Sequence, residues 1–138
     1  MCRVMIVEDD STWMEIMRTV VQRFSDVELL SSHRSGDTAF DELTADDSID
    51  MVISDLVLTT SRVQGNDLFE LSKRRGIRFI AVTSEPCLAP LDCKTVVCKD
   101  QLISFLDRFD VRRRKNPGVP RKYRGATLDQ FLNAVSLR

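Results

Sequence analysis

The strongest constraint in this sequence is a repeated alternation between short apolar runs and longer stretches whose apolar residues recur every three or four positions. The runs are residues 3–7, 27–30, 51–54, 77–82 and 95–98. Runs of this length that lack regular polar alternation mark strands buried on both faces. Between and after them lie helical patterns: Met14, Met17, Val20, Val21 and Phe24; Ala39, Phe40 and Leu43; Leu68, Phe69 and Leu71; Leu102, Ile103, Phe105, Leu106 and Phe109. Strands that alternate with amphipathic helices imply a parallel sheet covered on both faces, with right-handed crossovers. The expected fold class is therefore α/β, a doubly wound parallel sheet.

Local signals set the expected boundaries. Ser11 is placed to cap the first helix, Asp37 to start the second after Gly36, and Asp100 to cap the helix after the fifth strand. The third helix is expected over residues 67–75, stopped by Gly76. One interval breaks the pattern. Residues 88–92 are flanked by Pro86 and Pro90, which leaves a shortened or missing helix between the fourth and fifth strands.

The length, 138 residues, suits one domain with a core plus a tail, and the expected division is 1–111 and 112–138. Charge supports that division. Residues 1–111 carry 12 Lys and Arg against 20 Asp and Glu, a net of −8, whereas residues 112–138 carry 8 against 1, a net of +7. Arg112, Arg113, Arg114 and Lys115 extend the last helix or fray from it, residues 116–120 break it, and Arg121, Lys122 and Arg124 form a second basic cluster. Thr127 and Gln130 then have capping-box spacing, and Leu128, Phe131, Leu132 and Val135 give one apolar face to a short helix over about 127–137.

No apolar stretch approaches the roughly 20 residues that cross a bilayer, and the N-terminus lacks a secretory signal, so a cytoplasmic protein without a membrane partner is expected. The four cysteines include no C-x-x-C pair and the single histidine, His33, is distant from them, so free thiols rather than zinc or a redox pair are expected. Length leaves no room for a separate output domain, which points to a stand-alone protein.

Chemistry collects where the apolar runs end. Glu8, Asp9 and Asp10 follow the first, Asp55 the third, Thr83 closes the fourth, and Lys99 follows the fifth. An Asp after a strand is commonly a turn former or cap, and acids before a helix commonly complement its N-terminus. In a parallel α/β sheet, however, the carboxyl ends of all strands share one edge, where these groups would converge. Several carboxylates without histidine suit a hard cation such as Mg²⁺. A carboxylate nucleophile, a hydroxyl and a lysine complete what phosphoryl transfer to Asp requires.

With these residues in order, the chain resembles the response-regulator receiver domain (CheY-like) of two-component signalling. The resemblance runs from residue 3 to about 111 and rests on Val7-Glu8-Asp9, on Asp55-Leu56-Val57-Leu58, on Thr83 and on Lys99. It implies a flavodoxin-like (βα)5 sheet in the order 2-1-3-4-5. It also implies Asp55 as phosphoacceptor, with Mg²⁺ held by Asp9, Asp55 and the Val57 backbone carbonyl, and by Glu8 through water. Thr83 and Lys99 would bind the phosphoryl oxygens. The implied donor is a histidine kinase or histidine phosphotransfer protein, and the output is contact with a downstream protein, without enzymatic turnover of a substrate.

The departures from the family are specific. Thr59 stands where Pro is usual, Asp100 follows the lysine where Pro is frequent, and Val96 occupies the usual aromatic switch position. Only 15 residues separate Thr83 from Lys99, too few for the family's helix and the strand after it. The site is therefore expected to survive while the usual output face does not, and the tail helix is expected to cover the surface that the missing helix exposes. Val57 cannot hydrogen-bond an attacking water, so a long-lived phosphoaspartate is expected.

Three other readings compete. A phosphorylation-independent, receiver-like interaction module, acting through the basic tail, fits the altered 84–98 region but not the retained acidic, hydroxyl and lysine groups. An aspartate-nucleophile phosphohydrolase needs a second Asp two residues after the nucleophile, where Val57 stands. Nucleic acid is not expected as a partner, because the basic tail is not accompanied by a recognised binding pattern.

Overall fold

The computed structural model describes residues 1–115 and 127–138, with the side chains of 108–115 left outside the description. The basic clusters at 112–115 and 121–124, as side chains, and the break at 116–120 lie outside the described residues. Five strands, β1 (Cys2–Val7), β2 (Val27–His33), β3 (Met51–Ser54), β4 (Arg78–Thr83) and β5 (Thr95–Cys98), form one sheet. Their order is 2-1-3-4-5 and every pairing is parallel. The helices are α1 (Ser11–Val21), α2 (Gly36–Ala45), α3 (Gly65–Arg75), α4 (Lys99–Lys115) and α5 (Leu128–Val135).

Side chains alternate across the strands and so feed two cores. Val4, Ile6, Ile53, Ile80, Val82 and Val97 face α1, α4 and α5. Met5, Val7, Val52, Ala81 and Val96 face α2 and α3. The four-residue strand β3 is buried throughout, as its unbroken apolar run requires.

Several boundaries differ from those the sequence suggests, each for a local reason. Asp10, not Ser11, caps α1: its side chain accepts the Trp13 N–H, and the longer carboxylate captures the orphan donor. Phe24 lies beyond α1 yet is buried, stacked on Phe105 at 5.3 Å between ring centroids. Helix α2 starts one residue early, at Gly36, because Ser35 caps it. Helix α3 starts at Gly65, where Gln64 and Asp67 form a capping box. Strand β2 runs on to His33 through polar residues because it is an edge strand, open on one side. Lys99 is already the first residue of α4, and Asp100 falls in its first turn rather than capping it. Gly76 does end α3, in the left-handed conformation at φ 70° that favours glycine.

The helix between β4 and β5 is reduced to a single 3-10 turn, Pro86–Leu88. Helix α5 forms with the capping box that its sequence specifies, Thr127 to Gln130. Its position corrects one expectation. Leu128, Phe131, Leu132 and Val135 pack with α1 and α4, on the face opposite α3, so α5 does not fill the space of the missing helix. Phe131 lies 4.7 Å from Phe105 and 5.5 Å from Phe24, completing an aromatic triad on the α1 and α4 face. Only the last residues reach the β4–β5 connection. Leu137 N–H donates to Val96 O (2.8 Å), and the Arg138 guanidinium donates to the carbonyls of Ala89 and Cys93 (3.1 and 3.0 Å) and of Pro90.

Candidate functional site: the carboxyl edge of the sheet

Sheet register assembles the site. Val7 pairs with Ser54 and Thr83 with Cys98, so the residues one step further, Glu8, Asp55 and Lys99, leave the sheet together with Thr83. The turns that follow are held by the same ladder. Glu8 N–H donates to His33 O and Asp55 N–H to Val7 O, each at 3.0 Å. Gly65 permits this packing, since a Cβ there would lie 2.3 Å from Asp55 O.

Lys99 Nζ lies 2.9 Å from Asp55 Oδ2 and 3.0 Å from Glu8 Oε2, and all three residues are buried. Burial alone disfavours the ammonium, but the two carboxylates outweigh it and hold Lys99 protonated, its pKa raised. Glu8 is fully buried; desolvation and the neighbouring Asp55 charge push its pKa up to about 7 despite Lys99. Thr83 is buried at the end of β4, and its Oγ1 accepts the Glu85 N–H (3.0 Å), which leaves the hydroxyl proton available to donate.

Asp9 is half-exposed, and its Oδ2 accepts both the Thr59 N–H (2.8 Å) and the Thr59 hydroxyl (2.6 Å). Partial burial works against ionisation here, but the Thr59 bonds prevail and lower the Asp9 pKa. One ligand oxygen from each of Glu8, Asp9 and Asp55 can be chosen so that all lie within 4.8 Å of one another. Val57 is exposed at the mouth of the site, with its N–H 3.4 Å from Asp55 Oδ1.

The structure thus brings together Glu8, Asp9, Asp55 and Lys99 by direct contact or close approach, with Thr83 and Val57 on the adjoining chain. Three participants were not singled out by sequence reasoning. Thr59 was noted only as a substitution for Pro. Arg34, just past β2, donates from Nε and Nη2 to Asp9 O at 2.9 and 2.7 Å. Trp13 lies with its ring centroid 5.1 Å from Lys99 Nζ. A cation immediately after the β2 end was the available signal for Arg34; nothing local distinguished Thr59 or Trp13.

A five-stranded parallel sheet in this order is the flavodoxin-like fold, which response-regulator receiver domains share. The chain is similar to RcsB, a response regulator of Salmonella typhimurium, with a TM-score of 0.63 at 17% identity over 96% of this chain and 67% of that one. It is also similar to the isolated RcsB receiver domain of Salmonella enterica serovar Typhimurium with the phosphomimetic BeF3⁻, with a TM-score of 0.59 at 15% identity over 80% and 88% of the two chains. The non-phosphorylated receiver domain of Escherichia coli RcsB gives a TM-score of 0.62 at 19% identity over 82% and 92%. No protein-family model and no curated protein sequence matches the chain. The likeness is one of fold.

Proposed function

We propose that the protein is a response regulator that accepts a phosphoryl group on Asp55 and signals through protein contacts. The observation that carries this reading is the contact of Lys99 with both Asp55 and Glu8, with Asp9 beside them. The donor is a phosphohistidine on a kinase or phosphotransfer protein. An Asp55 carboxylate oxygen attacks the phosphorus, the P–N bond breaks, and the departing imidazole nitrogen takes a proton from solvent. Lys99 balances charge on the phosphoryl oxygens, and the Thr83 hydroxyl donates to one of them.

The residues present fit Mg²⁺. The available donors are all oxygens, and Glu8 is pushed to about 7 partly by the charge of Asp55, a repulsion that a hard cation relieves. Asp9, Asp55 and the Val57 carbonyl would hold the ion, with Glu8 acting through water. When bound, it neutralises charge on the transferring group and fixes its orientation.

Asp55 serves as acceptor, not as the nucleophile of a turning-over hydrolase, because exposed Val57 supplies no acid or base beside it. Among the described residues no helix is long and apolar enough to cross a membrane. Some RcsB structures are complexes with DNA; for this chain we take protein contact as the output, because no recognised nucleic-acid-binding pattern accompanies the basic residues of the tail.

Intact mass after incubation with acetyl phosphate and Mg²⁺ tests the proposal. The wild type is expected to gain one phosphoryl group and Asp55→Asn none. An unchanged wild-type mass would shift the reading to a phosphorylation-independent interaction module, which the reduced β4–β5 connection favours.

A further inference from the structure

We propose that Thr59 is a positioning residue that braces the Asp9 carboxylate for divalent-cation binding; the inference rests on the phosphoacceptor reading above. Both Thr59 donors reach the same oxygen, Asp9 Oδ2, at 2.8 Å from the backbone and 2.6 Å from the hydroxyl. Two bonds to one oxygen fix the carboxylate plane. A carboxylate so fixed loses less rotamer freedom when it takes a ligand, and partners of this kind commonly govern metal affinity.

The brace works because the loop that carries it is itself held. Between β3 and α3, the Gln64 side chain accepts the Leu58 N–H at 2.8 Å and donates to the carbonyls of Leu58 and Ser61 at 2.9 and 2.7 Å. The loop is also tied to the start of α2: Asp37 accepts the N–H groups of Arg62 and Val63 at 3.3 and 3.0 Å, and Ser61 Oγ accepts the Gly36 N–H at 2.9 Å. A Cβ at Gly36 would meet Val63 O at 2.0 Å, so the loop and α2 sit in backbone contact there. On the other side, Arg34 grips the Asp9 carbonyl. Asp9 is therefore held at its carboxylate from the β3–α3 loop and at its backbone from the end of β2. A flexible latch would lack these bonds; a rigid brace requires them.

The test is titration calorimetry of the unphosphorylated protein with Mg²⁺ alone, comparing wild type, Thr59→Val and Thr59→Ser. Emission of Trp13, the single tryptophan, provides a parallel readout. Thr59→Val keeps the shape and the backbone bond but loses the hydroxyl, and is expected to weaken Mg²⁺ binding on the order of tenfold. Thr59→Ser is expected to restore it. Thr59 is exposed, so circular dichroism of both variants should match wild type.

Equal or tighter Mg²⁺ binding by Thr59→Val overturns the brace, as does failure of Thr59→Ser to rescue. If wild type binds Mg²⁺ with the expected Thr59 dependence but gains no phosphoryl mass, the phosphoacceptor reading fails and the brace stands. If wild type gives no Mg²⁺ signal, the brace falls, and the phosphoryl mass alone decides the phosphoacceptor reading.

Discussion

Leu137 donates its N–H to Val96 O at 2.8 Å, so the last residues of the chain pair with β5 on the side where the sheet would otherwise end. Ser136 Oγ reinforces the contact by accepting the Val96 N–H at 3.3 Å. An edge strand presents unpaired backbone groups, and these bonds satisfy part of that edge. Together with the aromatic triad, they join α5, whose Leu128, Phe131, Leu132 and Val135 are buried, to the core.

That integration predicts a large effect of a single tail substitution. Phe131 is buried and touches the rings of both Phe24 and Phe105. Phe131→Ala is expected to cost about 3–5 kcal/mol in urea unfolding, with an increase in apolar-dye binding. A loss below about 1 kcal/mol would show that α5 does not dock in solution.

Glu8 predicts an unusual pH dependence for the ion-free protein. Its folded-state pKa, raised to about 7, exceeds the ordinary value of 4.5, so between these values the native state binds more protons than the unfolded chain. Stability therefore falls as pH rises through this window. Thermal melts in chelator from pH 5 to pH 8 are expected to show a declining Tm that flattens in Glu8→Gln. Asp9 acts in the opposite sense: its lowered pKa contributes stability at neutral pH that is lost on acidification through and below the ordinary carboxylate range. A Tm that rises from pH 5 to pH 8 in both proteins would contradict the Glu8 assignment.

If Asp55 is phosphorylated as proposed, Val57 is expected to prolong the modified state. Its isopropyl group is exposed beside Asp55 and cannot orient a water toward an acyl phosphate. Val57→Asn is expected to shorten the phosphoaspartate half-life severalfold, followed by the decay of phosphorylated mass after the donor is removed. An unchanged decay would remove Val57 from this role.

Strands β3 and β5 were legible because each is a short apolar run, and both fall where the pattern places them, whereas β2 continues through polar residues to His33. Helix ends were less legible, because neighbouring residues competed for one cap. Asp10 and Ser11 both suit the α1 cap, and only the bond to Trp13 N–H decides between them. The acidic, hydroxyl and lysine groups at strand ends could be read in order because a parallel sheet gives all carboxyl ends one edge. Thr59 and Arg34 could not be assigned, since they act on Asp9 from 50 and 25 positions away.

The sequence by itself determined the alternation of strands and helices, the edge at which chemistry gathers, the loss of an ordinary helix between Pro86 and Pro90, and the apolar face and cap of α5. These follow from local periodicity and from backbone limits on proline and glycine. Only the tertiary structure decided which face of the sheet α5 covers. An apolar stripe specifies that a helix must be buried but not against what: both faces carry aromatic rings, Phe69 with Phe79 on one and Phe24 with Phe105 on the other, and in the fold Phe131 packs on the second pair.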